Sequence, residues 1–197
     1  MSDLKFTNST QALPRDVDLP AEFNITASPS TDIWSKPPST ESFNAPILHK
    51  TAPLSSFKKA RVAVSAHWSK LYDQGGLLFV VNDPSDGSRK WVKTGIEFVD
   101  DKANVSTVAK DRWADWSLLP IIPTGGHAAT IEMVREDGSL WIYLNEGLKR
   151  TPIREVTWAF EGEEGKECWI GIYAAKPSTE GGELVVSFRH LVIDLSH

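Results

Sequence analysis

Apolar and polar positions alternate along the middle of the chain, and the alternation has period two. Ala60, Val62, Val64, Ala66 and Trp68 are interleaved with Arg61, Ala63, Ser65 and His67, which predicts a half-buried strand. Gly75 to Asn82 is more continuously apolar, as in the central strand of a sandwich. From Trp91 to Val99 the apolar residues Val92, Ile96 and Phe98 fall on even positions, which places them in the core. Trp91, Lys93 and Glu97 share the odd positions with Gly95. Side chains of a strand point to alternate faces, so this strand gives one face to the core. The other face presents an indole, an ammonium, bare backbone and a carboxylate.

Further strands are expected at Phe23 to Ala27, Ala128 to Arg135, Leu140 to Asn145, Arg154 to Phe160, Glu167 to Ala174 and Leu184 to Asp194, and Asn44 to Leu48 is a short apolar run. Turn chemistry separates them at Asn82 to Gly87, Asp137-Gly138, Glu161 to Gly165 and Gly181-Gly182. Pro37 and Pro38 cannot donate to a ladder, so their surroundings read as a loop or an edge. No segment sustains a helical period. The fold class is therefore all-β, a two-sheet sandwich or barrel. Residues 1–20 are polar and carry Pro14 and Pro20, which predicts a flexible arm dispensable for folding, ahead of one domain over 21–197.

Several separated motifs carry a family resemblance. They are Thr31-Asp32-Ile33-Trp34-Ser35-Lys36-Pro37-Pro38, Tyr72-Asp73-Gln74-Gly75-Gly76-Leu77, Trp91-Val92-Lys93-Thr94-Gly95-Ile96-Glu97 and Asp115-Trp116-Ser117. Pro152-Ile153-Arg154-Glu155 and Gly171-Ile172-Tyr173-Ala174 follow in the same order. Together they resemble a family of domains of unknown function whose fungal members are called regulation-of-enolase proteins. The likeness runs over residues 20–195. It implies a concanavalin A-like jelly-roll sandwich of the lectin/glucanase type, with a glycolytic enzyme as one expected partner. It implies no reaction, because fold alone does not give function.

Charge and composition narrow the partners. A net charge of −5 and the lack of a concentrated basic patch argue against nucleic acid and anionic membranes. Lys58, Lys59 and Arg61 form the densest basic cluster, and it opens a strand. Cys168 is the single cysteine, so no intramolecular disulfide and no cysteine zinc set can form, and a structural thiol is expected. The first residues lack the apolar core of a secretory signal, and no apolar run approaches the ~20 residues of a membrane span. The expected location is the cytoplasm.

Catalytic signatures are missing from the sequence. There is no Gly-x-Ser-x-Gly elbow, phosphate loop or His-Glu-x-x-His, and the histidines are scattered without ligand spacing, so neither metal nor cofactor is expected. Asp83 to Gly87 reads as a hairpin turn rather than a calcium loop. A retaining glucanase needs two carboxyls about 5–5.5 Å apart. Glu97-Phe98-Val99-Asp100 supplies no second glutamate on the same face.

What remains is a binding surface. Tyr72, Gln74, Lys93 and Glu97 are expected to converge on one concave groove, with Arg154 and Trp113 at its rim, because a short turn makes the two strands hairpin neighbours. Gly75, Gly76 and Gly95 are read as leaving backbone open beneath a ligand. The competing account makes the charged row an ion-pair lattice on a solvated sheet and gives the glycines to twist. Trp34 and Trp113 stand in polar loops and suit stacking on a sugar ring, whereas Trp116 reads as a plug for the sandwich end. The expected ligand is a carbohydrate or sugar metabolite, bound without catalysis. Two alternatives stay open. One is a protein-interaction regulator with an exposed apolar patch near residues 35–46. The other is an enzyme on a sugar derivative, with Glu97 as general base and Lys93 as electrophile.

Overall fold

A computed structural model describes residues 4–15, 21–121 and 126–196, and its architecture follows the alternation closely. The strands are β1 (Lys5–Thr7), β2 (Glu22–Ala27), β3 (Ile33–Lys36), β4 (Thr40–Phe43), β5 (Ile47–Pro53), β6 (Phe57–Ala66), β7 (Gln74–Asn82) and β8 (Arg89–Val99). They continue as β9 (Lys102–Lys110), β10 (Ala114–Pro120), β11 (Ala128–Glu136), β12 (Ser139–Glu146), β13 (Lys149–Val156), β14 (Glu167–Ala175) and β15 (Leu184–Leu195). A seven-stranded sheet has the order β1-β5-β14-β7-β8-β9-β10, and a six-stranded sheet the order β13-β12-β11-β6-β15-β2. All paired strands within them run antiparallel. This is the expected jelly-roll sandwich.

The main core lies between the sheets. Leu77, Phe79, Val81, Val92, Ile96, Val105, Ile170 and Ile172 meet Ile25, Val62, Val64, Ile131, Ile142, Val186 and Phe188 there. Cys168 is fully buried among them, and burial pushes its thiol up to about 12, so it is a packing group rather than a nucleophile. Turn chemistry sets the registers. Asp100 and Asp101 both take positive φ and join Val99 to Lys102, and Asp137-Gly138 does the same between Glu136 and Ser139. Two consecutive left-handed residues match the twist of the strands they connect.

The seven-stranded sheet is covered on its outer face as well. The hairpin β3–β4, paired from Ile33↔Phe43 to Lys36↔Thr40, turns through the Pro37 and Pro38 segment that the sequence marks as a loop. Its Ile33, with Ala45 and Ile47, packs on Leu78, Val80, Trp91, Val108 and Tyr173 in a second apolar cluster. That cover explains why β7 is apolar at nearly every position. It is the central strand of its sheet and has a core on each side.

Three expectations need correction. Residues 5–7 are not an arm: β1 pairs with β5 from Lys5↔His49 to Thr7↔Ile47, and Leu4 joins the main core. Asn8 Nδ2 then donates to the backbone carbonyls of Phe43 and Ala45, and Gln11 Oε1 accepts from Thr26 N. The segment is polar because it ties down through backbone and amide hydrogen bonds, which hydropathy cannot register. Second, Phe98 is only half-buried against the core, near the end of β8 beside the β8–β9 turn. Third, β13 begins at Lys149 and stops at Val156, so Trp158 lies in the following turn, under the Lys90 ammonium at 5.5 Å. Pro152 is tolerated because β13 is an edge strand, and a register shift opposite Ile142 and Tyr143 follows it.

The tied-down N-terminus yields a stability prediction. Leu4→Ala should cost about 2 kcal/mol, at the low end for a buried leucine because the site lies at a sheet edge. Urea unfolding checks it, and a loss under ~0.5 kcal/mol would return the segment to the status of an arm. Phe98→Ala should lose less than the ~3–5 kcal/mol of a fully buried ring.

Candidate functional site

Polar groups gather where β7 and β8 meet the hairpin. The register pairs Gln74 with Glu97 and Gly76 with Gly95. Gln74, Lys93 and Glu97 therefore face the hairpin side of the sheet, and all three are buried. Lys93 Nζ donates to Gln74 Oε1 at 2.6 Å and lies 3.6 Å from Asp32 Oδ1 on the hairpin. Gln74 Nε2 donates to the Tyr72 carbonyl at 3.1 Å and reaches Asp32 Oδ1 at 3.4 Å, while Tyr173 donates its hydroxyl to Gln74 Oε1 at 3.4 Å. The lattice alternative required a solvated face. Here the ammonium has only 3% of its side chain exposed, so the row is a buried network.

Glu97 is held from the next strands. Its Oε2 accepts from Ser106 Oγ at 2.6 Å and from Trp116 Nε1 at 3.0 Å. Removal from water raises the Glu97 carboxyl above the usual range, against the opposing pull of Lys93 and of the Ser106 hydrogen bond. Burial likewise lowers the Lys93 ammonium, although Asp32 and Glu97 favour its charged form. The Tyr173 phenol is raised by burial and by the same two carboxylates.

A second buried pair fixes the approach to β7. Lys176 Nζ meets Asp73 Oδ1 at 3.2 Å, with both side chains almost wholly enclosed. Asp73 Oδ2 accepts from the backbone N–H groups of Ser69 and Lys70, closing the turn. Within that turn Tyr72 takes a left-handed φ of 66°, a conformation a tyrosine keeps only when its surroundings over-determine it. Its N–H donates to the Phe98 carbonyl and its ring is set beside the network.

These elements enclose a cavity of about 230 Å³ lined by Asp32, Trp34, Lys36, Tyr72, Gln74, Glu97 and Trp116. Three rings form its walls. Trp116 meets Trp34 edge-on at 6.4 Å and 83°, and Tyr72 edge-on at 6.2 Å and 77°. Of the residues singled out in the sequence, Tyr72, Gln74, Glu97 and Trp34 line this cavity. Lys93 reaches it through its bond to Gln74.

Two of the expected rim residues lie elsewhere. Trp113 is half-buried in the turn before β10 and is not part of the lining. Arg154 joins the two sheets at their open edge, donating to Asp115 Oδ2 at 3.1 Å and Ser117 Oγ at 2.7 Å. Asp115 and Ser117 flank Trp116 on β10, so Arg154 anchors the strand that carries the ring. The plug reading of Trp116 is corrected as well: the residue is 37% exposed and forms a cavity wall.

The glycines serve packing rather than access. A methyl on Gly76 would sit 2.0 Å from the Thr94 carbonyl oxygen, one on Gly95 2.1 Å from that of Gly75, and one on Gly75 2.8 Å from Val186. Any side chain at the first two would force β7 and β8 apart.

Asp32, Lys36 and Ser106 were missed. Asp32 and Lys36 flank Trp34 in a motif visible in the sequence, but nothing local indicates that this hairpin folds over a sheet built from residues 74–110. Among the described residues, no group of three or more His, Cys, Asp or Glu side chains could hold a metal ion. No helix there is long and apolar enough to cross a membrane.

Residues 13–194 match the family described as Protein of unknown function (DUF1349). The chain belongs to this family. It is 60% identical over its full length to an uncharacterized protein of Emericella nidulans, covering 98% of that protein. It is 31% identical over 96 residues, 48% of this chain and 44% of the other, to Regulation of enolase protein 1 of Saccharomyces cerevisiae. The structure resembles that of a functionally unknown protein from Saccharomyces cerevisiae, with a TM-score of 0.75, 21% identity, and coverage of 99% of this chain and 97% of that one. It also resembles the alginate lyase from Klebsiella pneumoniae, with a TM-score of 0.57, 12% identity, and coverage of 97% and 84%. These likenesses place the fold among the jelly rolls.

Glu97 gives a pH prediction with a definite sign. Its folded carboxyl binds its proton more tightly than the unfolded one, whose value is about 4.3, so ionisation above that pH costs stability. Glu97→Gln removes this cost. Its unfolding free energy relative to the natural chain should therefore improve as pH rises above about 4.3, and level off once pH passes the raised folded value of Glu97. Urea melts at several pH values test it. A difference independent of pH would mean that Glu97 ionises as easily folded as unfolded.

Proposed function

We propose that this protein binds a carbohydrate or sugar metabolite, without turning it over, in the cavity between the hairpin and the seven-stranded sheet. One observation carries the reading: three aromatic walls stand over two carboxylates that each keep an oxygen free of hydrogen bonds within the described residues. Those oxygens are Asp32 Oδ2 and Glu97 Oε1. Flat rings take the C–H faces of a sugar and free carboxylate oxygens accept from its hydroxyls. The volume suits one small ring rather than a drug-sized ligand of ~300 Å³ or more.

The reading is one of binding rather than turnover because the reactive candidates are already committed. Lys93 is held by Gln74 and Asp32 away from the lining, and Glu97 gives one oxygen to Ser106 and Trp116. The likeness to the alginate lyase from Klebsiella pneumoniae is one of fold alone. A regulatory role in carbohydrate metabolism is the natural extension.

A second reading is favoured by the similarity to Regulation of enolase protein 1: contact with a glycolytic enzyme of the enolase type. The apolar patch expected near residues 35–46 does not support it, because the exposed large hydrophobics among the described residues lie elsewhere. They include Leu71, Leu118, Leu119 and Leu148.

A thermal-shift panel of sugars and sugar phosphates tests the first reading. A ligand at 100 times its Kd should add about 2.7 kcal/mol to stability. Trp34→Ala should abolish that shift while lowering the unliganded melting temperature only slightly. If no panel member moves the melting temperature, or the shift survives in the variant, the cavity is not the site.

A further inference from the structure

Two carboxylates and two ammoniums stand around the cavity, but within the described residues neither ammonium donates to Glu97: Asp32, Lys36 and Glu97 are in its lining, and behind them lies Lys93. Its ammonium is already used by Gln74 Oε1 and Asp32 Oδ1. Lys36 also lines the cavity, but from the exposed end of β3, where its long stem keeps the charge in water. Glu97 is only 6% exposed and lines the cavity, and its Oε1 has no hydrogen-bond partner among the described residues. A carboxylate so placed lacks a cationic donor.

The aromatic walls point the same way. Trp34 and Tyr72 both stand edge-on to Trp116, so rings at near right angles border one small volume. A sugar needs one stacking face. Several rings meeting at right angles can instead offer their electron-rich faces to a positive charge, as in sites for ammonium ligands. The Trp116 N–H is spent on Glu97 and Ser106, which leaves its ring as its contribution to a ligand.

We propose that the ligand carries a protonated amine, so that the cavity selects an amino sugar over the neutral sugar of the same configuration. The inference rests on the sugar-binding reading above. The ammonium sits among the faces of Trp34, Tyr72 and Trp116 and donates to Glu97 Oε1 and Asp32 Oδ2. The hydroxyls remain for the Tyr72 phenol and the Trp34 N–H. Binding then gives Glu97 Oε1 a cationic donor and favours the ionised form of Glu97, whose carboxyl burial otherwise holds protonated to higher pH than usual.

Tryptophan fluorescence of the full chain can decide this, since Trp34 and Trp116 report from the cavity wall. The probes are glucosamine, galactosamine and mannosamine, each paired with its parent hexose and its N-acetyl derivative, together with tetramethylammonium as a cation without a sugar. At least one amino sugar should bind about tenfold or more tighter than both its neutral partners, a margin of about 1.4 kcal/mol. Glu97→Gln should close that gap, bringing the ratio of amino-sugar to hexose affinity down about tenfold to near one, whatever it does to the affinity common to both. The N-acetyl comparison keeps the test valid if the variant fails to fold.

Parent hexoses binding as tightly as their amines would overturn the inference and leave the sugar reading standing. Tetramethylammonium binding as tightly as any amino sugar, with neutral sugars silent, would overturn the sugar part of both. Silence from every probe up to about 10 mM would overturn both outright.

Discussion

An ammonium removed from water has to be answered by acceptors within hydrogen-bond reach, and Lys93 sets that requirement at the centre of this molecule. Its partners come from two separate pieces of chain. Gln74 belongs to the neighbouring strand, whereas Asp32 belongs to the hairpin that crosses the outer face of the sheet. Satisfying Lys93 therefore docks the hairpin, and docking the hairpin brings Trp34 and Lys36 over Glu97 and Trp116. Without that link the apolar face made by Leu78, Val80, Trp91 and Tyr173 would lose its cover. One buried charge thus couples the second core to the cavity.

The same economy appears in the supports. The Asp73–Lys176 pair is buried without lining the cavity, and its effect is geometric: it closes the turn that holds Tyr72 in a left-handed conformation. Arg154 acts in a comparable way from the other sheet, through Asp115 and Ser117 on either side of Trp116. Buried or bridging ion pairs contribute little net stability once desolvation is counted, but they specify an arrangement. Here the arrangement is that of the three rings.

Most of the fold was legible because burial on one face of a strand leaves a period-two trace. The strands β6 and β8 carry it, with Val92 and Ile96 inward, whereas β7 shows as an unbroken apolar run and Asp137-Gly138 by its turn residues. The same alternation put Lys93, Glu97 and Gln74 on one side. It failed where stability comes from hydrogen bonds rather than apolar periodicity, as in β1 with Asn8 and Gln11. It also failed where a structure is completed over long range. Nothing near Asp32 signals that its carboxylate will meet a lysine sixty-one residues later. Trp116 was misread for a related reason: its neighbours Asp115 and Ser117 look like solvent-facing polar residues until Arg154 arrives from the opposite sheet. Trp113, equally aromatic and equally framed by charges, received the opposite error. Local composition could not tell the two apart.

The position of the hairpin in the chain has a consequence for synthesis. β3 and β4 are made early, yet their resting place is assembled from β7, β8, β9 and β14, and Tyr173 completes it. The 130 residues from Phe43 to Tyr173 take on the order of ten seconds to translate at typical rates. Through that interval the hairpin holds Ile33 and Phe43 ready for a surface that does not yet exist. The newborn chain therefore passes through a stage in which its own lid is the exposed apolar segment, and a chaperone that recognises it would meet residues 33–47 first.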